Sequence, residues 1–390
     1  MIKITSPEKC CGCSACMSIC PKNAISMQPD ALGFLYPLVN ETNCVNCGLC
    51  EKVCTFNSHY DISQNFDEPI AFGAKHKDAG QVAKSQSGGA FYTISDYVLD
   101  TGGVVYGAGF TEHFAVAHQR ATTKQERDNF RKSKYVQSDL KNTFKEAKND
   151  LQVGKEVLFS GTACQIAGLK SYIGKGPLSE YLLTIDIICH GVPSPFILKD
   201  YIAYQEKRHK GQLLKEFTFR DKNAHGWREP KESFLWADGS KDIYYLYSDL
   251  FYQGLMLRKC CGVCPFTNLK RPGDITIADF WGCEKNNPDF CKENKGVSLI
   301  LINTEKGRNI FERVKDKLEI VHAEKKDYMQ PNLQHPTGLH SDRDEFERDY
   351  QKKGFEYVLN KYRLKTGFPR FIQRCFGKYR SLKRKYLGAK

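Results

Sequence analysis

The sequence predicts an α/β (α+β) protein with a small cysteine-rich N-terminal domain, a larger domain built on a largely parallel sheet, and a basic helix at its C-terminal end. Three observations predict this class. Eight cysteines fall into two similarly spaced groups between Cys10 and Cys54. Apolar strands alternate with helical segments from about residue 70 to residue 330, which is typical of helices packed on a parallel sheet. The segment from Lys361 onward carries eleven Lys and Arg and no Asp or Glu.

The bulk composition is that of a globular protein with an unusual number of thiols. Of 390 residues, 41% are hydrophobic, 26% are charged and 17 are cysteines. No apolar run is long enough for a transmembrane helix, and the first residues lack the apolar stretch of a signal peptide. We therefore expect a cytoplasmic protein, whose reduced thiols serve metal or redox chemistry. Eleven of the net +13 charges come from the C-terminal segment, and no nucleic-acid-binding motif accompanies them, so no nucleic-acid partner is expected.

The two cysteine groups have the same internal spacing. The first reads KCCGCSACMSICP from Lys9, the second reads CVNCGLCEKVC from Cys44, and both have gaps of two, two and three residues. This spacing lets three thiolates wrap one cubane while the fourth crosses to the other cluster. Structural zinc sites use two separated pairs of ligands, which fits the pattern poorly. We therefore predict two [4Fe–4S] clusters, one held by Cys10, Cys13, Cys16 and Cys54, and one held by Cys44, Cys47, Cys50 and Cys20. Cys11 is left over.

The first 58 residues resemble a bacterial two-cluster ferredoxin. Pro21 follows the first group as it does in such ferredoxins, whereas Thr55 takes the place of the proline after the second group. Proline is not a ligand, so this departure concerns the local turn and not the cluster. The resemblance implies an electron-transfer domain.

A second set of thiols lies in the larger domain. Cys164 and Cys189 each stand just beyond the carboxyl end of a predicted strand, where ligands bind in parallel sheets. KCCGVCPF adds Cys261 and Cys264 with a two-residue gap. Alone, that pair is equally a redox dithiol, half a zinc site or a coincidence; with the other two it becomes a candidate four-thiolate site. Cys260 is set aside because it lacks that spacing, and the remaining cysteines, Cys283, Cys291 and Cys375, are expected to be ordinary unpaired thiols.

Two further stretches, SQSGG and RKSKYVQS, do not indicate a ligand site on their own. SQSGG, at residues 85–89, precedes a helical pattern, and such a loop presents backbone amides that suit a phosphate; a plain helix N-cap is an equally good interpretation. RKSKYVQS, at residues 131–138, carries Lys134 and two other cations beside polar side chains. From the residues alone, this second stretch is best interpreted as a solvated charged turn.

Six motifs in order give the larger domain a family resemblance. They are SQSGG, RKSKYVQS, SGTACQIAGL, CHGVPSP, KCCGVCPF and DITIADFWG. The region from about residue 70 to residue 303 resembles the beta subunit of coenzyme F420-reducing hydrogenase and formate dehydrogenase. The resemblance implies an α/β flavin-binding domain with bound FAD and a third [4Fe–4S] cluster near the flavin.

Particular residues follow from the resemblance, motif by motif. It implies that Cys164, Cys189, Cys261 and Cys264 hold the third cluster. It implies a flavin site lined by Ser85, Ser87, Gly88, Gly89, Lys134, Tyr135, Gln137, Ser138, Gly161, Thr162 and Gln165. His190 and Asp279 are the candidate catalytic residues, in contact with flavin or substrate; for both, a buried structural role is an equal alternative.

The predicted function is that of an iron–sulfur flavoprotein oxidoreductase. Electrons are expected to move between the ferredoxin-type clusters and FAD, so that an organic substrate is reduced or oxidised, with a role in polysaccharide biosynthesis. The expected redox partner is a ferredoxin or a reduced deazaflavin. The alternative is a non-catalytic electron-transfer subunit of a larger hydrogenase or dehydrogenase complex.

The predicted domains are residues 1–58, 70–150, 151–330 and 331–390. They correspond to the ferredoxin domain, the two parts of the flavoprotein domain, and a helical basic tail. From Gly367, aromatic residues recur at gaps of three and four among basic ones. Such a helix either packs its aromatic face on the body, which is the favoured interpretation, or lies on the inner face of an anionic membrane.

Overall fold

The computed structural model describes residues 1–56 and 60–363. In the N-terminal domain, two short helices flank a β-hairpin. The elements are α1 (Ala15–Ile19), β1 (Ile25–Pro29), β2 (Leu35–Val39) and α2 (Leu49–Lys52). The hairpin turn is fixed by Asp30, whose Oδ1 accepts hydrogen bonds from the backbone N–H groups of Leu32 and Phe34, both at 2.9 Å.

The rest of the described chain alternates strands and helices. Its first half comprises β3 (Asn65–His76), α3 (Ala79–Lys84), α4 (Ala90–Asp100), β4 (Val104–Phe110), β5 (Val116–Ala121), α5 (Lys124–Asp128), α6 (Thr143–Gln152), β6 (Val157–Thr162), α7 (Ala163–Ile173), α8 (Pro177–Glu180), β7 (Leu182–Ile187) and α9 (Pro195–Arg208). Its second half comprises β8 (Leu214–Thr218), α10 (Lys222–His225), β9 (Glu232–Trp236), β10 (Lys241–Tyr244), α11 (Leu246–Tyr252), β11 (Ile275–Asp279), α12 (Pro288–Cys291), β12 (Ser298–Thr304), α13 (Glu305–Val314), β13 (Leu318–His322), α14 (Lys325–Tyr328) and α15 (Arg343–Tyr362).

An eight-stranded sheet forms the centre of the larger domain. Its strand order is β13-β3-β12-β11-β7-β6-β4-β5. The four strands β4, β6, β7 and β11 pair in parallel, whereas β5, β12, β3 and β13 join at the two sides in antiparallel pairs. The predicted α/β class is confirmed, and parallel pairing is confined to the central strands.

Helices cover both faces of this sheet. On one face α4 and α13 bury Ile94, Val98 and Phe311 against the strands. On the other face α6 and α7 bury Phe144 and Ile166. Because both faces are covered, the central strands are buried on both sides, as expected for parallel strands.

A second, three-stranded antiparallel sheet, in the order β10-β9-β8, lies within the region assigned to the flavoprotein domain. It shares a core with α9, α11 and α15, in which Trp236, Phe234 and Tyr201 are buried. α15 therefore packs on the body through its apolar side. This helix falls in the range predicted for the tail, while residues 364–390, including the predicted basic helix from Gly367, lie outside the described residues.

The N-terminal domain packs directly on α7. Ala15 and Cys16 share a core with Ile166 of α7. A Cβ on Gly168, also in α7, would lie only 2.8 Å from Cys13 Sγ. Glycine at residue 168 is therefore what allows α7 to approach the first cysteine group.

One expectation about the remaining thiols is wrong. Cys283 and Cys291, expected to be unpaired, form a disulfide. Cys283 begins a 3-10 helix and Cys291 ends the short helix α12, so the disulfide links these two short helices. Cys375 lies outside the described residues.

Candidate functional site

Four thiols surround a cavity at the outer end of the N-terminal domain. They are Cys20, Cys44, Cys47 and Cys50. Cys50 is buried, and Cys47 is exposed. The backbone N–H of Ile2 donates to Cys50 Sγ at 3.2 Å, and that of Ala24 donates to Cys20 Sγ at 3.3 Å. The cavity thus has the four sulfur donors predicted for one cubane, with amides directed at two of them; we call it the distal site.

Four other thiols surround a second cavity, which we call the proximal site. They are Cys10, Cys13, Cys16 and Cys54, with Cys11 as a fifth lining cysteine. The loop between the first three follows left-handed backbone at Gly12 and at Ser14, whose φ angles are +70° and +59°. This sharp turning is what brings successive cysteines to one cavity.

A third cavity joins the thiols of the larger domain, and we call it the inner site. In β6 and β7, Thr162 lies opposite Ile187 in the parallel register. Cys164 and Cys189 each follow two residues later, so the sheet delivers them to the same edge. The loop after α11 supplies the other two sulfurs. The lining cysteines are Cys164, Cys189, Cys261 and Cys264, together with Cys11 and Cys260.

Backbone and hydroxyl groups of the inner site hydrogen-bond to its sulfurs. The N–H of Gly191 donates to Cys189 Sγ at 3.3 Å, and that of Val192 donates to Cys261 Sγ at 3.4 Å. Thr162 Oγ1 lies 3.2 Å from Cys164 Sγ. Donors of this kind stabilise thiolates, the form that binds iron.

Cys11 and Cys260, which have no predicted cluster, lie beside cysteines that do, and the pKa values of the neighbours move in opposite directions. Cys11 is 7% exposed and lines both the proximal and the inner cavity. Hydrogen bonds to Cys13 and Cys164 raise the pKa of Cys11, while the bond from Cys11 is the largest cause that lowers the pKa of Cys164 to about 7. Cys260 stands in the same relation to Cys261: its pKa is raised and that of Cys261 is lowered by their hydrogen bond.

The cysteines do not gather as tightly as the ligands of a single ion. Within residues 1–56 and 60–363, no group of three His, Cys, Asp or Glu side chains converges on a position that could hold one metal ion.

The residues assigned to a flavin site are spread over three places. The first is the loop before α4. Ser85 Oγ donates to Gln81 O at 2.8 Å, and Ser87 Oγ donates to Val297 O at 2.7 Å. A Cβ on Gly88 would lie 2.0 Å from Ala74 O, and Gly89, with φ of +100°, is the N-cap of α4. These two glycines are needed for packing of the loop against β3 and for the start of the helix.

The second place is the segment after α5. Lys134 Nζ donates to the backbone oxygens of Asn129 and Arg131 at 2.7 and 2.6 Å. Burial of this ammonium, followed by the nearby charge of Lys132, lowers the pKa of Lys134 to about 7. Tyr135 stacks on Phe251 with ring centroids 4.9 Å apart. Lys134 and Tyr135 therefore have protein partners.

The third place is the junction of the sheet with the N-terminal domain. Gln137 Nε2 donates to Cys11 O at 3.2 Å, so this amide faces the proximal site. Ser138 Oγ lies 2.9 Å from His118 Nδ1 and accepts from Gln165 Nε2 at 3.0 Å. Gln165 Oε1 in turn accepts from the N–H of Thr162 at 2.9 Å. Gly161 lies beside this network, since a Cβ there would be 3.0 Å from Gln165 Oε1.

The two candidate catalytic residues differ in whether their polar atoms have hydrogen-bond partners. Asp279, at the end of β11, accepts from Arg220 Nη1 at 2.6 Å and from Trp227 Nε1 at 2.7 Å, so both its oxygens are bound. His190 lines the inner cavity, and among the described residues its buried Nε2 has no hydrogen-bond partner. Burial lowers the pKa of His190. Of the two, only His190 has a free polar atom for a bound group.

Two family profiles match parts of the chain. Residues 154–327 match the profile for the C terminus of the coenzyme F420 hydrogenase/dehydrogenase beta subunit, a range that contains all four cysteines assigned to the inner site. Residues 9–58 match the profile of the 4Fe-4S dicluster domain. Over residues 154–327 the larger domain is therefore similar to the coenzyme F420 hydrogenase/dehydrogenase beta subunits. The resemblance inferred from the six motifs is confirmed.

The individual relatives are distant in sequence. The chain is 22% identical over 376 residues to the F subunit of the F420H2 dehydrogenase of Methanosarcina mazei, across 94% of this chain and 96% of that protein. It is 36% identical over 75 residues to hydrogenase-4 component A of Escherichia coli, across 19% of this chain and 33% of that protein. Among solved structures, the F420-reducing [NiFe] hydrogenase complex of Methanosarcina barkeri, in a xenon derivative, matches 75% of this chain and 91% of its own, with 18% identity and a TM-score of 0.47.

Two cations at the sites were not predicted from the sequence. Arg258 lies at the proximal site and Arg220 binds Asp279. Arg258 directly precedes KCCGVC, and that position was the only available signal. Arg220 stands 59 residues from its partner, and nothing in its local sequence marks it.

Proposed function

We propose that this chain is an electron-transfer subunit, which carries electrons through three [4Fe–4S] clusters between a redox partner and a larger dehydrogenase or hydrogenase assembly. One observation carries the proposal. The lining of each of three cavities includes the four cysteines predicted for one cluster, and the proximal and inner cavities share the buried Cys11 as a further lining residue. An electron relay requires adjacent sites of this kind. Clusters with purely structural roles could lie far apart.

The residues present fit the predicted clusters. Four thiol donors per cavity match the ligand number of a cubane, and a bound cubane exchanges one electron at a time. Amide donors at Cys189 and Cys261 stabilise thiolates in the buried inner site. Cys11 and Cys260 also line these cavities but are not part of the predicted ligand sets.

The distal site is the proposed contact point for a redox partner. Cys47 is exposed there, and its neighbours Val45 and Leu49 are 57% and 37% exposed. Apolar side chains around an exposed ligand suit brief docking of a small electron carrier, such as a ferredoxin. A reduced deazaflavin remains the alternative partner. In keeping with the proposal, the relative from Methanosarcina mazei is named as one subunit of a dehydrogenase.

A second candidate function, an FAD-dependent oxidoreductase that acts on an organic substrate, has one observation in its favour. Among the described residues, two buried donors in or beside the SQSGG loop, Gln86 Nε2 and Arg131 Nε, have no hydrogen-bond partner. Such donors suit a phosphate-bearing group, with Ser85, Gly88 and Gly89 as the neighbouring loop. Bound FAD would convert single electrons to hydride chemistry. A polysaccharide precursor as the substrate belongs to this candidate only.

Quantification of cofactors in anaerobically reconstituted protein tests both candidates. Three cubanes require about twelve irons per chain, and we expect this value with little bound flavin. Stoichiometric FAD together with about twelve irons would instead favour the oxidoreductase. A value near eight irons that is unchanged in Cys189→Ser would overturn the inner cluster and with it the three-site relay.

A further inference from the structure

Arg258 is a fully buried cation at the junction of the two domains. Its side chain is 0% exposed. Its Nε donates to Cys10 O at 2.8 Å, and its two terminal nitrogens donate to Gln137 Oε1 at 3.0 Å and to Leu35 O at 2.9 Å. The guanidinium also lies 4.1 Å from the centre of the Tyr36 ring. All of these partners are neutral, so they satisfy its hydrogen bonds and leave its charge uncompensated.

Other buried arginines of the described chain have carboxylate partners. Arg127 pairs with Asp96 at 3.2 Å and with Asp128 at 3.0 Å, and Arg271 pairs with Asp186 at 2.8 Å. Arg220 and Arg343 likewise have acidic partners. Within residues 1–56 and 60–363, no Asp or Glu lies within ion-pair distance of Arg258. A buried charge is costly unless an opposite charge stands near it, so Arg258 needs an anion of another kind.

The closest such group is a thiol of the proximal site. Arg258 Nη2 lies 3.6 Å from Cys10 Sγ and is aimed at it as a donor. A cubane with four thiolate ligands carries net negative charge, which increases on reduction. A fixed cation beside it stabilises the reduced form, and the low dielectric of a buried site strengthens the effect.

We propose that Arg258 is the counter-ion of the proximal cluster and raises its reduction potential above the value that the same ligands would otherwise give. This inference rests on the proposed function, since it requires a cluster at the proximal site. It makes Arg258 a positioning residue, which sets the ease of reduction without binding iron. The distal site lies outside its hydrogen-bond reach and provides an internal reference.

The test is a redox titration, monitored by electron paramagnetic resonance, of the wild type, Arg258→Met and Arg258→Lys. Arg258→Met removes the charge, and we expect at least a tenfold loss of reduced proximal cluster relative to oxidised cluster at the wild-type midpoint. For a one-electron couple, that loss corresponds to a shift of about 59 mV toward negative potential. Arg258→Lys keeps the charge and should shift less. The distal couple, assigned by its disappearance in Cys47→Ser, should not move.

The outcomes separate this inference from the proposed function. About twelve irons with an unchanged proximal potential in Arg258→Met would overturn the role of Arg258 and leave the relay intact. Absence of a proximal cluster from the wild type would overturn the relay itself. If Arg258→Met loses the proximal cluster and Arg258→Lys keeps it, cluster binding itself requires the positive charge, which supports the counter-ion role. If both variants lose the proximal cluster, the cluster depends on the hydrogen bonds of the guanidinium and not on its charge, and the inference is overturned.

Discussion

Gly12 and Gln137 meet so closely that a Cβ on residue 12 would lie 2.7 Å from Gln137 Nε2. The same amide nitrogen donates to Cys11 O, one residue earlier. The contact therefore joins the first cysteine loop to the body of the larger domain. A Cβ on residue 12 would also lie 2.9 Å from Leu35 O. This oxygen belongs to the backbone, so no change of rotamer can relieve the contact.

Gly12→Ala should destabilise the docked N-terminal domain more than Gly48→Ala does. Both glycines have positive φ, +70° and +73°, but a Cβ on Gly48 meets no atom within 4 Å. Gly48→Ala is therefore expected to cost about 1 kcal/mol for the backbone conformation alone. Gly12→Ala adds about 1–3 kcal/mol of overpacking. Anaerobic denaturation followed by cluster absorbance measures the difference, and equal midpoints would contradict the close packing.

Neighbouring cysteines of the inner site should behave oppositely when they are changed to serine. Cys189→Ser and Cys261→Ser should each remove about four irons and leave the N-terminal clusters. Cys260→Ser, one residue from Cys261, and Cys11→Ser should keep all the iron, because neither thiol belongs to a predicted ligand set. Iron analysis and the spectrum of the remaining clusters provide the readout. Iron lost from Cys260→Ser and kept in Cys261→Ser would exchange the two assignments.

Glu232 should make the protein less stable as the pH rises through 7. Its carboxyl group is fully buried, and burial raises its pKa to about 7 despite hydrogen bonds from Ser248 and Tyr201. Because the pKa is higher in the folded state, the stabilising contribution is complete below about pH 4.5 and is lost as pH rises through about 7. Between pH 6 and 8.5 the loss is about 1 kcal/mol.

Glu232→Gln removes this titration and should flatten the pH dependence of the unfolding free energy over that range. Glu216→Gln, at an exposed position of β8, is the matched control and should keep the wild-type dependence. A Glu232→Gln protein with the slope of the wild type would show that this carboxyl does not titrate in the range.

The basic C-terminal segment can be tested by flotation with anionic vesicles. No helix in the described ranges is long and apolar enough to cross a bilayer. We expect the full chain and a chain that ends at Lys365 both to remain unbound at low salt, because an aromatic helix face is expected to pack on the body. Each Lys or Arg near an anionic surface contributes about 1 kcal/mol, so flotation of the full chain alone would instead assign the segment to the membrane.

The parts of the fold and site that could be predicted are those encoded locally. The spacing of Cys10, Cys13 and Cys16 places three sulfurs on one turn of chain, and strand–helix alternation predicts the central parallel strands. The antiparallel pairing of β3, β12 and β13 could not be predicted from local patterns, because it depends on tertiary contacts between distant segments.

Two contacts could not be predicted from the sequence because no local motif marks them. Gln137 was assigned to a flavin because of its motif, yet its amide meets Cys11, which stands 126 residues earlier. The disulfide between Cys283 and Cys291 joins thiols only eight residues apart, but their spacing matched no metal or redox motif. Both contacts depend on the identity of a partner that only the fold supplies; the flavin assignment of Gln137 stays a prediction.

The sharing of Cys11 between the proximal and inner cavities has a consequence for biosynthesis. All the thiols of the two N-terminal sites have been translated once the chain reaches Cys54, whereas the inner site waits for Cys264. Because chains emerge N-terminal end first and domains fold as units, the proposed clusters would be inserted into this protein in two stages. The N-terminal loop that contains Cys11 would already be folded when the second stage begins. A nascent chain in which the first group of cysteines bound its cluster incorrectly would therefore also form a faulty inner site.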